Sequence, residues 1–390
     1  MHLENDAEVT AMTNRKSITI YDIAREAGVS PATVSRILNG TTAVRQEKRD
    51  RVNQLIEKYN FRPNAMARAL SETRTKVIGM VLADTSNPYY NSIFAACGNE
   101  AYKRGYVTML FNTFSRPEME VSALKKLQEQ RVDAIIICGG RIDLAEPDPE
   151  FMHLLETTLK TTPIVVGSRS PMEQICGVAV DHKESVNLAV EYLISQGHRD
   201  IGFVFTGEPY YGTQEKVERF RQVMTAAGLP VCEEWLISVP NYDCASGRLG
   251  IDQLMTCSRK PTALLGLNDV ITAGMLQGLL DHGVRVPEDI SLMGFDDTYI
   301  TTITSPQLTA VDYDYNKYAC MLVDAAVALI EGEECPREQL VPPSLSVKKS
   351  CRAGMHENTG RCKDYLQRPN CLNSDCDGRT TARGSLAFAN

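Results

Sequence analysis

Polar side chains that follow buried strands are the residues of this sequence best suited to bind a small ligand. Asn268 and Asp269 follow the apolar run 263–267, and Asp296 follows another apolar run. Amide and carboxylate groups at strand ends can form paired hydrogen bonds with the hydroxyl groups of a polar ligand. The same residue types also cap helices, and for Asp269 and Asp297 capping explains the residue as well as ligand contact does.

A strongly basic segment near the amino end is the second feature with chemical meaning. Residues 13–76 carry thirteen Lys and Arg against six Asp and Glu, a balance of +7, in a 390-residue chain whose net charge is −8. The rest of the chain therefore sums to −15. This asymmetry suits a protein in which one end meets a polyanion while the remainder stays soluble. A solvated basic surface would give the same charges, so charge alone does not decide between the two.

Two short amphipathic helices joined by a tight turn are predicted inside the basic segment. Apolar residues recur on one face over 21–27 and again over 31–38. Gly28 suits the left-handed end of the first helix, and Ser30 is a good N-cap for the second. With a third helix over 45–59, this arrangement predicts a helix-turn-helix, whose second helix can enter the major groove of DNA.

Beyond residue 76 the sequence alternates between buried strands and helices. One set of strand–helix repeats extends from 77 to 167, and a second set begins at 177 and ends at 295. This alternation predicts an α/β fold of doubly wound parallel sheets. Two sets predict two lobes with a cleft between them, where the carboxyl ends of the strands converge.

Several classes of protein are disfavoured by what the sequence lacks. No apolar run approaches the ~18–20 residues of a membrane helix, and the start has no basic region followed by an apolar stretch. We therefore expect a cytoplasmic protein. The sequence has no G-x-G-x-x-G after its first strand, no P-loop, no G-x-S-x-G and no H-E-x-x-H. We expect no enzymatic activity and no cofactor.

The twelve cysteines predict neither disulfides nor a metal site. No C-x-x-C pair occurs, and reduced thiols are the rule in the cytoplasm. Four of the cysteines crowd towards the carboxyl end, with ten, eight and four residues between them, and this spacing fits no common zinc pattern. The four are Cys351, Cys362, Cys371 and Cys376. We expect the polar ends of the chain, 1–16 and 355–390, to be disordered.

Four stretches of the sequence, 18–30, 32–40, 60–70 and 294–297, resemble the lac repressor family of bacterial transcription regulators. The resemblance holds in the expected order over about 17–354. It implies a domain order that we adopt as a prediction. This order is a helix-turn-helix DNA-binding domain over 17–63, a hinge helix and linker over 64–76, and a two-lobed domain like the periplasmic binding proteins over 77–354.

The resemblance also implies which residues contact DNA. Pro31, Ala32 and Arg36 correspond to base-reading positions, where Arg36 can offer two donors to a guanine edge and the other two can make only apolar contacts. Leu70 corresponds to a residue that inserts as a wedge into the minor groove. Without the resemblance, the local sequence pattern would favour an ordinary hydrophobic helix residue at this position. The other predicted contacts, which would position the DNA backbone or belong to the hinge, are Thr19, Tyr21, Ser30, Thr33, Ser35, Asn39, Asn64 and Arg68.

A small sugar-like effector is the second partner that the resemblance implies, and Tyr242 falls where an aromatic ring can stack on a sugar. The predicted effector contacts are Asn87, Tyr89, Tyr90, Ser168, Arg169, Lys216, Tyr242, Asn268 and Asp296.

The sequence departs from the family pattern at two of these positions. Lys216 stands where an Arg is usual, and Ser168 stands where many members have an Asp. A cleft that lacks this acid and keeps Arg169 is less negative, which favours a sugar acid or a sugar phosphate. Lysine is a point charge, so paired binding of a carboxylate at this position is doubtful. His182 is expected on the surface or as a cap rather than in the cleft.

The predicted function is that of a ligand-responsive transcription regulator, and more specifically a repressor. Its predicted partners are double-stranded operator DNA, a small effector and a second copy of the chain, with no membrane, in the cytoplasm on the nucleoid. The resemblance implies a dimer, because tetramers of this family usually need a heptad coil at the carboxyl end and the tail past 355 has no heptad pattern. The alternatives are a sugar-binding transport protein or a carbohydrate-acting enzyme on the same fold. A transport protein would need export and would have no helix-turn-helix.

Overall fold

The chain forms two compact units in the computed structural model, with the boundary between Lys76 and Val77. We call residues 18–61 the head and the unit that begins at Val77 the body, and each is described by itself. The structure describes residues 18–38, 44–59, 61, 74–207 and 209–352. The chain ends predicted to be disordered, and most of the predicted hinge, lie outside these residues.

The head is built from three helices, α1 (Ile20–Ala27), α2 (Pro31–Leu38) and α3 (Gln46–Lys58). Helix α1 begins at a capping box, because Thr19 Oγ1 accepts a hydrogen bond from the Asp22 N–H at 3.3 Å and the Asp22 carboxylate accepts one from the Thr19 N–H at 3.0 Å. Gly28 ends the helix in the left-handed conformation, with φ of 67°. This is the turn that the sequence predicted.

A small apolar core holds the three helices together. It consists of six buried side chains on the facing sides of the helices, Ile23, Ala24, Ala27, Val34, Ile37 and Val52. The apolar face predicted for α1 is therefore the buried one. A polar contact adds to this core, since the Tyr59 hydroxyl donates a hydrogen bond to the Glu26 carboxylate at 2.8 Å.

Lobe 1 of the body is a six-stranded parallel sheet covered on both faces by helices. The strand order is β11-β5-β4-β3-β1-β2. Its strands are β1 (Val77–Leu82), β2 (Val107–Asn112), β3 (Ala134–Cys138), β4 (Ile164–Val166), β5 (Cys176–Val180) and β11 (Glu338–Val341). Its helices are α4 (Pro88–Lys103), α5 (Pro117–Glu129), α6 (Pro149–Leu159) and α12 (Tyr315–Glu331). Helices α4 and α12 cover one face, and α5 and α6 cover the other.

Lobe 2 repeats this architecture with the strand order β12-β10-β9-β8-β6-β7. All neighbouring strands are parallel except the pair β10–β12 at one edge. Its strands are β6 (Ile201–Thr206), β7 (Leu236–Val239), β8 (Ala263–Gly266), β9 (Ser291–Asp296), β10 (Thr309–Asp312) and β12 (Ser344–Ser346). Its helices are α7 (His182–Ser195), α8 (Tyr211–Ala226), α9 (Cys244–Thr256), α10 (Asp269–Asp281) and the short α11 (Ile300–Ile303). The predicted fold class is thus confirmed.

The chain crosses between the lobes at three places, after β5, after β10 and after β11. The crossings lie side by side, since the Asp181 N–H at the first donates a hydrogen bond to the Val341 carbonyl at the third, at 3.2 Å. The prediction that the strand at 177–180 begins the second lobe was wrong. This strand pairs with β4 and β11 and belongs to lobe 1, because strand order depends on long-range pairing that the local pattern does not contain.

The predicted helix and strand positions otherwise agree with the structure to within a few residues. The exceptions lie after residue 296, where α11, α12 and the strands β10–β12 were not predicted. The strands β11 and β12 are short and partly exposed, so they lack the apolar run that marks the other strands. None of the helices that the structure describes has the length and apolar character needed to cross a bilayer.

Candidate functional site

Helix α2 of the head presents one face to solvent and buries the other. Val34 and Ile37 point into the core, whereas Ala32 and Arg36 are exposed on the opposite side. Ser30 caps the helix, because its Oγ accepts a hydrogen bond from the Thr33 N–H at 3.2 Å. Of the three predicted base-reading residues, Ala32 and Arg36 are therefore exposed on the helix, whereas Pro31, its first residue, is half-buried.

The residues predicted to position the DNA backbone lie at helix starts or beside the exposed face. Tyr21 is 70% exposed at the start of α1. Thr19 already caps α1 and Ser30 already caps α2, so each has a structural role that does not depend on DNA. Thr33 and Ser35 are half-buried on α2. Asn39, Asn64, Arg68 and Leu70 lie outside the described residues.

A cavity of about 840 Å³ lies between the two lobes of the body. It opens where the carboxyl ends of the strands from both sheets meet, as the strand–helix alternation predicts. All nine predicted effector residues line it, namely Asn87, Tyr89, Tyr90, Ser168, Arg169, Lys216, Tyr242, Asn268 and Asp296. The structure thus brings together residues that are up to 209 positions apart in the sequence.

Two asparagines at the cavity cap helices and still keep a free polar group. Asn87 Oδ1 accepts a hydrogen bond from the Tyr89 N–H at 3.0 Å, and Asn268 Oδ1 accepts one from the Ile271 N–H at 2.8 Å. Each cap fixes the side chain in one orientation and leaves its amide NH2 group for a ligand. Tyr89 and Tyr90 pack edge to face, with ring centroids 5.1 Å apart, and form an aromatic wall in lobe 1.

Lys216 and Asp296 are buried groups of opposite charge on the lobe 2 wall. The Lys216 ammonium lies 4.4 Å from the centroid of the Phe295 ring and donates a long hydrogen bond of 3.4 Å to the Leu267 carbonyl. Burial lowers the pKa of Lys216, and the charge of Asp296 opposes this shift. Burial also raises the pKa of Asp296 to about 6, and here the charge of Lys216 opposes the shift. Each group therefore stabilises the charged form of the other.

The neighbouring aspartates have structural roles instead. Asp269 Oδ2 accepts a hydrogen bond from the Thr298 N–H, and Asp297 contacts the Thr301 hydroxyl and the Lys348 ammonium. Neither aspartate lines the cavity. The capping interpretation of these two residues is the one that the contacts support.

His182 lies in the cavity wall, so its expected place on the surface or as a cap was wrong. It is the first residue of α7 at the first crossing between the lobes, and Asp181 caps that helix. Within the part of the chain that the structure describes, its buried Nδ1 has no hydrogen-bond partner. Burial lowers the pKa of His182 well below its usual value, and the nearby Lys216 and Arg169 add to this shift. The imidazole is therefore neutral near pH 7.

Asp143 and Tyr313 also line the cavity and were not predicted as site residues. Tyr313 follows β10 at the second crossing between the lobes, a region where the sequence pattern was not resolved into strands. Asp143 ends a short 3-10 turn, 140–143, that follows β3. The polar residues after β3 were a usable signal, because they follow a buried strand just as Asn87 and Asn268 do.

Direct contacts join the two lobes at the mouth of the cavity. Leu144 and Tyr210 form an antiparallel bridge, and the Ala145 N–H donates a hydrogen bond to the Pro209 carbonyl at 2.9 Å. On another side Arg169 pairs with Glu215 at 2.9 Å. The cleft is therefore closed, and these contacts must break for the lobes to separate.

No group of three or more His, Cys, Asp or Glu side chains in the described ranges is placed to hold a metal ion. The carboxyl-terminal cysteines other than Cys351 lie outside those ranges, and Cys351 is buried against lobe 2.

Two family models match the chain in the order of its two units. The model of bacterial regulatory proteins of the lacI family matches residues 19–64, and that of the periplasmic binding protein-like domain matches residues 190–351. Catabolite control protein A of Priestia megaterium is 33% identical over 297 residues, which are 76% of this chain and 87% of that protein. The transcriptional repressor PurR of Pasteurella multocida is 31% identical over 342 residues, which are 86% of this chain and 99% of that protein.

The chain belongs to the lacI family of bacterial regulatory proteins. This confirms the resemblance found in the sequence. The relatives are transcription regulators and not enzymes, so the prediction of a regulator without enzymatic activity is confirmed as well. As a lacI-family protein the chain is a transcriptional repressor controlled by a small-molecule effector.

Solved structures of lacI-family proteins extend this likeness to the fold. A lac repressor dimer bound to operator and an anti-inducer has a TM-score of 0.77 and 25% identity, with 87% of this chain and 100% of that chain covered. The transcriptional regulator CelR in complex with cellobiose has a TM-score of 0.63 and 25% identity, with 85% and 99% covered.

Proposed function

We propose that this lacI-family repressor binds a pseudo-palindromic operator as a homodimer and responds to a sugar-like effector in the cleft. The observation that carries the proposal is the cavity of about 840 Å³, which is lined by the nine predicted residues and closed by contacts between the lobes. This volume lies in the range of small-molecule sites. The lac repressor dimer on its operator and the CelR–cellobiose complex support both partners.

On the operator, the exposed side of α2 would read bases. Arg36 would offer its guanidinium fork to a guanine edge, while Pro31 and Ala32 would contact a thymine methyl. Tyr21 and the hydroxyl residues around α2 would contact phosphates and fix the register. Leu70 would enter the minor groove from the hinge, where an apolar wedge favours a bent duplex. A repressor with this role works in the cytoplasm, on the nucleoid.

The effector would act by binding the closed and open cleft with different affinities. A ligand shifts a conformational equilibrium only by this difference, and the effect on operator affinity is equal in size to the effect of the operator on effector affinity. The three adjacent crossings are suited to transmit such a change, because His182 and Tyr313 lie both at crossings and in the cavity wall.

A hydroxylated ligand fits the charges of the cavity wall. Four aspartates and three basic side chains line the cavity, Arg169 pairs with Glu215 in the closed cleft, and burial raises the pKa of Asp143 to about 7. Carboxylates and the free amide groups of Asn87 and Asn268 together can accept from and donate to the hydroxyls of a sugar.

Lys216 favours a sugar acid or a sugar phosphate as the second candidate effector. Its buried ammonium donates a long hydrogen bond to the neutral Leu267 carbonyl and interacts with the charge of Asp296, and an anionic group of a ligand could bind it directly with a charge-assisted hydrogen bond. The two candidate effectors differ in one respect: binding of a sugar acid or sugar phosphate would depend on the charge of Lys216, whereas binding of a neutral sugar would not.

A thermal-shift screen separates these candidates. The purified protein is screened with neutral sugars, sugar acids, sugar phosphates and nucleosides, and a ligand at a hundred times its Kd stabilises the folded state by about 2.7 kcal/mol. Every ligand that shifts the melt is then tested for its effect on operator affinity by fluorescence anisotropy. Lys216→Met should remove the shift caused by an acid or phosphate and preserve part of that caused by a neutral sugar. A protein that binds no operator DNA with or without ligands would overturn the proposal.

The oligomeric state is tested separately by light scattering, which measures the molar mass of the protein in solution. We expect twice the monomer mass. A monomer or a tetramer at the concentrations used for operator binding would contradict the dimer.

A further inference from the structure

Asp143 lies in the cavity wall beside Ser168, the position where the acid common in the family is missing. Both residues line the same wall, and the Ser168 hydroxyl, which donates a hydrogen bond to the Arg169 carbonyl at 3.3 Å, is near enough to Asp143 to lower the pKa of its carboxyl group. A carboxylate is therefore present on the lobe 1 side of the cavity, although it comes from a different loop than the sequence pattern leads one to expect.

The turn that carries Asp143 is shaped to hold it in place. Gly139 and Gly140 have φ of 82° and 78°, which other residues rarely adopt. A Cβ at Gly140 would lie 2.2 Å from a carboxylate oxygen of Glu120. That carboxylate accepts a hydrogen bond from the Arg141 N–H at 2.9 Å and forms a buried ion pair with the Arg141 guanidinium. The ion pair between Glu120 and Arg141 thus holds the turn in this conformation, and it does so without a ligand.

The Asp143 carboxyl group has unused hydrogen-bonding capacity. Its Oδ1 is buried and has no hydrogen-bond partner in the described part of the chain. Burial raises the pKa of Asp143 to about 7, and the nearby Glu120 carboxylate adds to the shift. A buried carboxyl oxygen without a partner is costly, and such groups persist where a ligand supplies the missing hydrogen bond.

The residues after Asp143 close the cavity. Leu144 pairs with Tyr210 of lobe 2, and Ala145 donates a hydrogen bond to Pro209. A ligand that contacts Asp143 is thus next to the segment that joins the lobes. Recognition at this residue and closure of the cleft are therefore carried by one continuous loop.

We propose that Asp143 is a specificity-determining residue of the cleft, which accepts hydrogen bonds from adjacent hydroxyl groups of the effector in place of the acid absent at position 168. The assignment rests on the proposed function, since it concerns the effector of the same cleft. It adds a residue and a chemical requirement, namely that the effector presents hydroxyl donors to lobe 1.

The test compares variants in their binding of D-glucose, D-galactose, D-ribose, cellobiose, D-gluconate, glucose 6-phosphate and adenosine. Whichever of these compounds stabilises the parent protein most is titrated by calorimetry. Asp143→Asn should weaken its binding at least tenfold and change the order of preference among the compounds. Asp312→Asn is the matched control, because burial raises the pKa of Asp312 as well, but this residue does not line the cavity and its carboxylate already accepts a hydrogen bond from the Asp314 N–H at 3.1 Å. The control should stay within twofold of the parent.

A relocation of the acid distinguishes a ligand contact from a structural role. The double variant Asp143→Ser with Ser168→Asp should recover most of the affinity that Asp143→Ser loses, a result that a merely structural carboxylate would not give. An unchanged Kd in Asp143→Asn, or no recovery in the double variant, would overturn the assignment while operator binding and effector response remain intact. If no compound stabilises the parent protein or alters its operator affinity, the sugar-like effector of the proposed function fails, and the assignment of Asp143 fails with it.

Discussion

The head and the body place their candidate functional residues in opposite environments. In the head, Arg36 and Tyr21 are exposed on helices whose other faces form the core. In the body, Lys216 and Asp296 are buried, and burial shifts the pKa of both. The difference teaches that recognition and stability are separable in the head, whereas in the cleft the same side chains affect both. Four predictions test this contrast.

Replacement of a core residue of the head should give the largest effect. Ile23→Ala removes a fully buried side chain from a core of six, and we expect it to destabilise the head by about 2–5 kcal/mol. Because small domains have little stability to lose, operator binding should disappear while effector-induced stabilisation of the body remains. Denaturation followed by circular dichroism, together with operator anisotropy, checks both parts. The matched variant Ile136→Ala in the body should lower the main unfolding transition instead, and equal behaviour of the two variants would contradict separate units.

The cleft should show stability that depends on pH through Asp143. Its pKa in the folded body is about 7, above the usual 3.8, so the folded state holds a proton that the unfolded state releases. Its contribution to stability is therefore lost as the pH rises from about 4 to about 7. Asp143→Asn should become more stable relative to the parent across this range, by about 1–4 kcal/mol at pH 8.

The comparison with the parent matters because two histidines act in the opposite direction. Burial lowers the pKa of His182 and His198, so both destabilise the folded state as the pH falls below about 6.5. Urea denaturation at several pH values measures the difference between variant and parent, in which these histidines cancel. A constant difference from pH 4 to pH 8 would exclude a raised pKa at Asp143.

Loss of the predicted base contact should weaken operator binding without changing stability. We expect Arg36→Ala to cost about 1–3 kcal/mol in operator affinity, the usual worth of a paired contact with a guanine. The melting temperature should not change, because the side chain is exposed. Arg36→Lys keeps the charge but loses the fork, so it should recover nonspecific binding and not sequence preference. Normal operator affinity in Arg36→Ala would remove this residue from the interface.

The contact between Arg169 and Glu215 should give the smallest effect. Arg169 is 45% exposed, so Arg169→Gln should change the free energy of unfolding by less than about 1 kcal/mol, because Glu215 keeps its contacts with Lys183 and the Tyr211 hydroxyl. Since the pair joins the two lobes, the effector should dissociate a few times faster from the variant, which stopped-flow fluorescence can measure. A large loss of stability would show that the pair supports the core of the body.

The sequence predicted the architecture well where local patterns carry it. Buried strands of parallel sheets are continuous apolar runs, so the strands through 295 were visible, and the glycine turn marked the two helices of the head. The membership of 177–180 in lobe 1 depends on pairing with a strand some 160 residues later, which no local pattern shows. The edge strands β11 and β12 were missed because they are only four and three residues long and contain no apolar run.

The residues of the cleft were likewise predicted where local sequence patterns determine their position and missed where long-range contacts do. Asn87, Asn268 and Asp296 were found because the carboxyl ends of parallel strands converge, and this holds whatever the strand order. His182 was misplaced because its position depends on where the chain crosses between lobes. Asp143 was not predicted as a cavity residue, because it lies at the end of a turn whose shape depends on contacts with Glu120.

The three crossings impose an order on folding during synthesis. The head core uses only residues up to 61, so it is complete soon after that segment leaves the ribosome. Lobe 1, by contrast, needs α12 to cover its sheet and β11 to complete its edge, and both come from beyond residue 314. Neither lobe is complete until nearly all of the described chain has been made. A nascent chain therefore carries a folded DNA-binding domain well before it has a cleft through which an effector can regulate it.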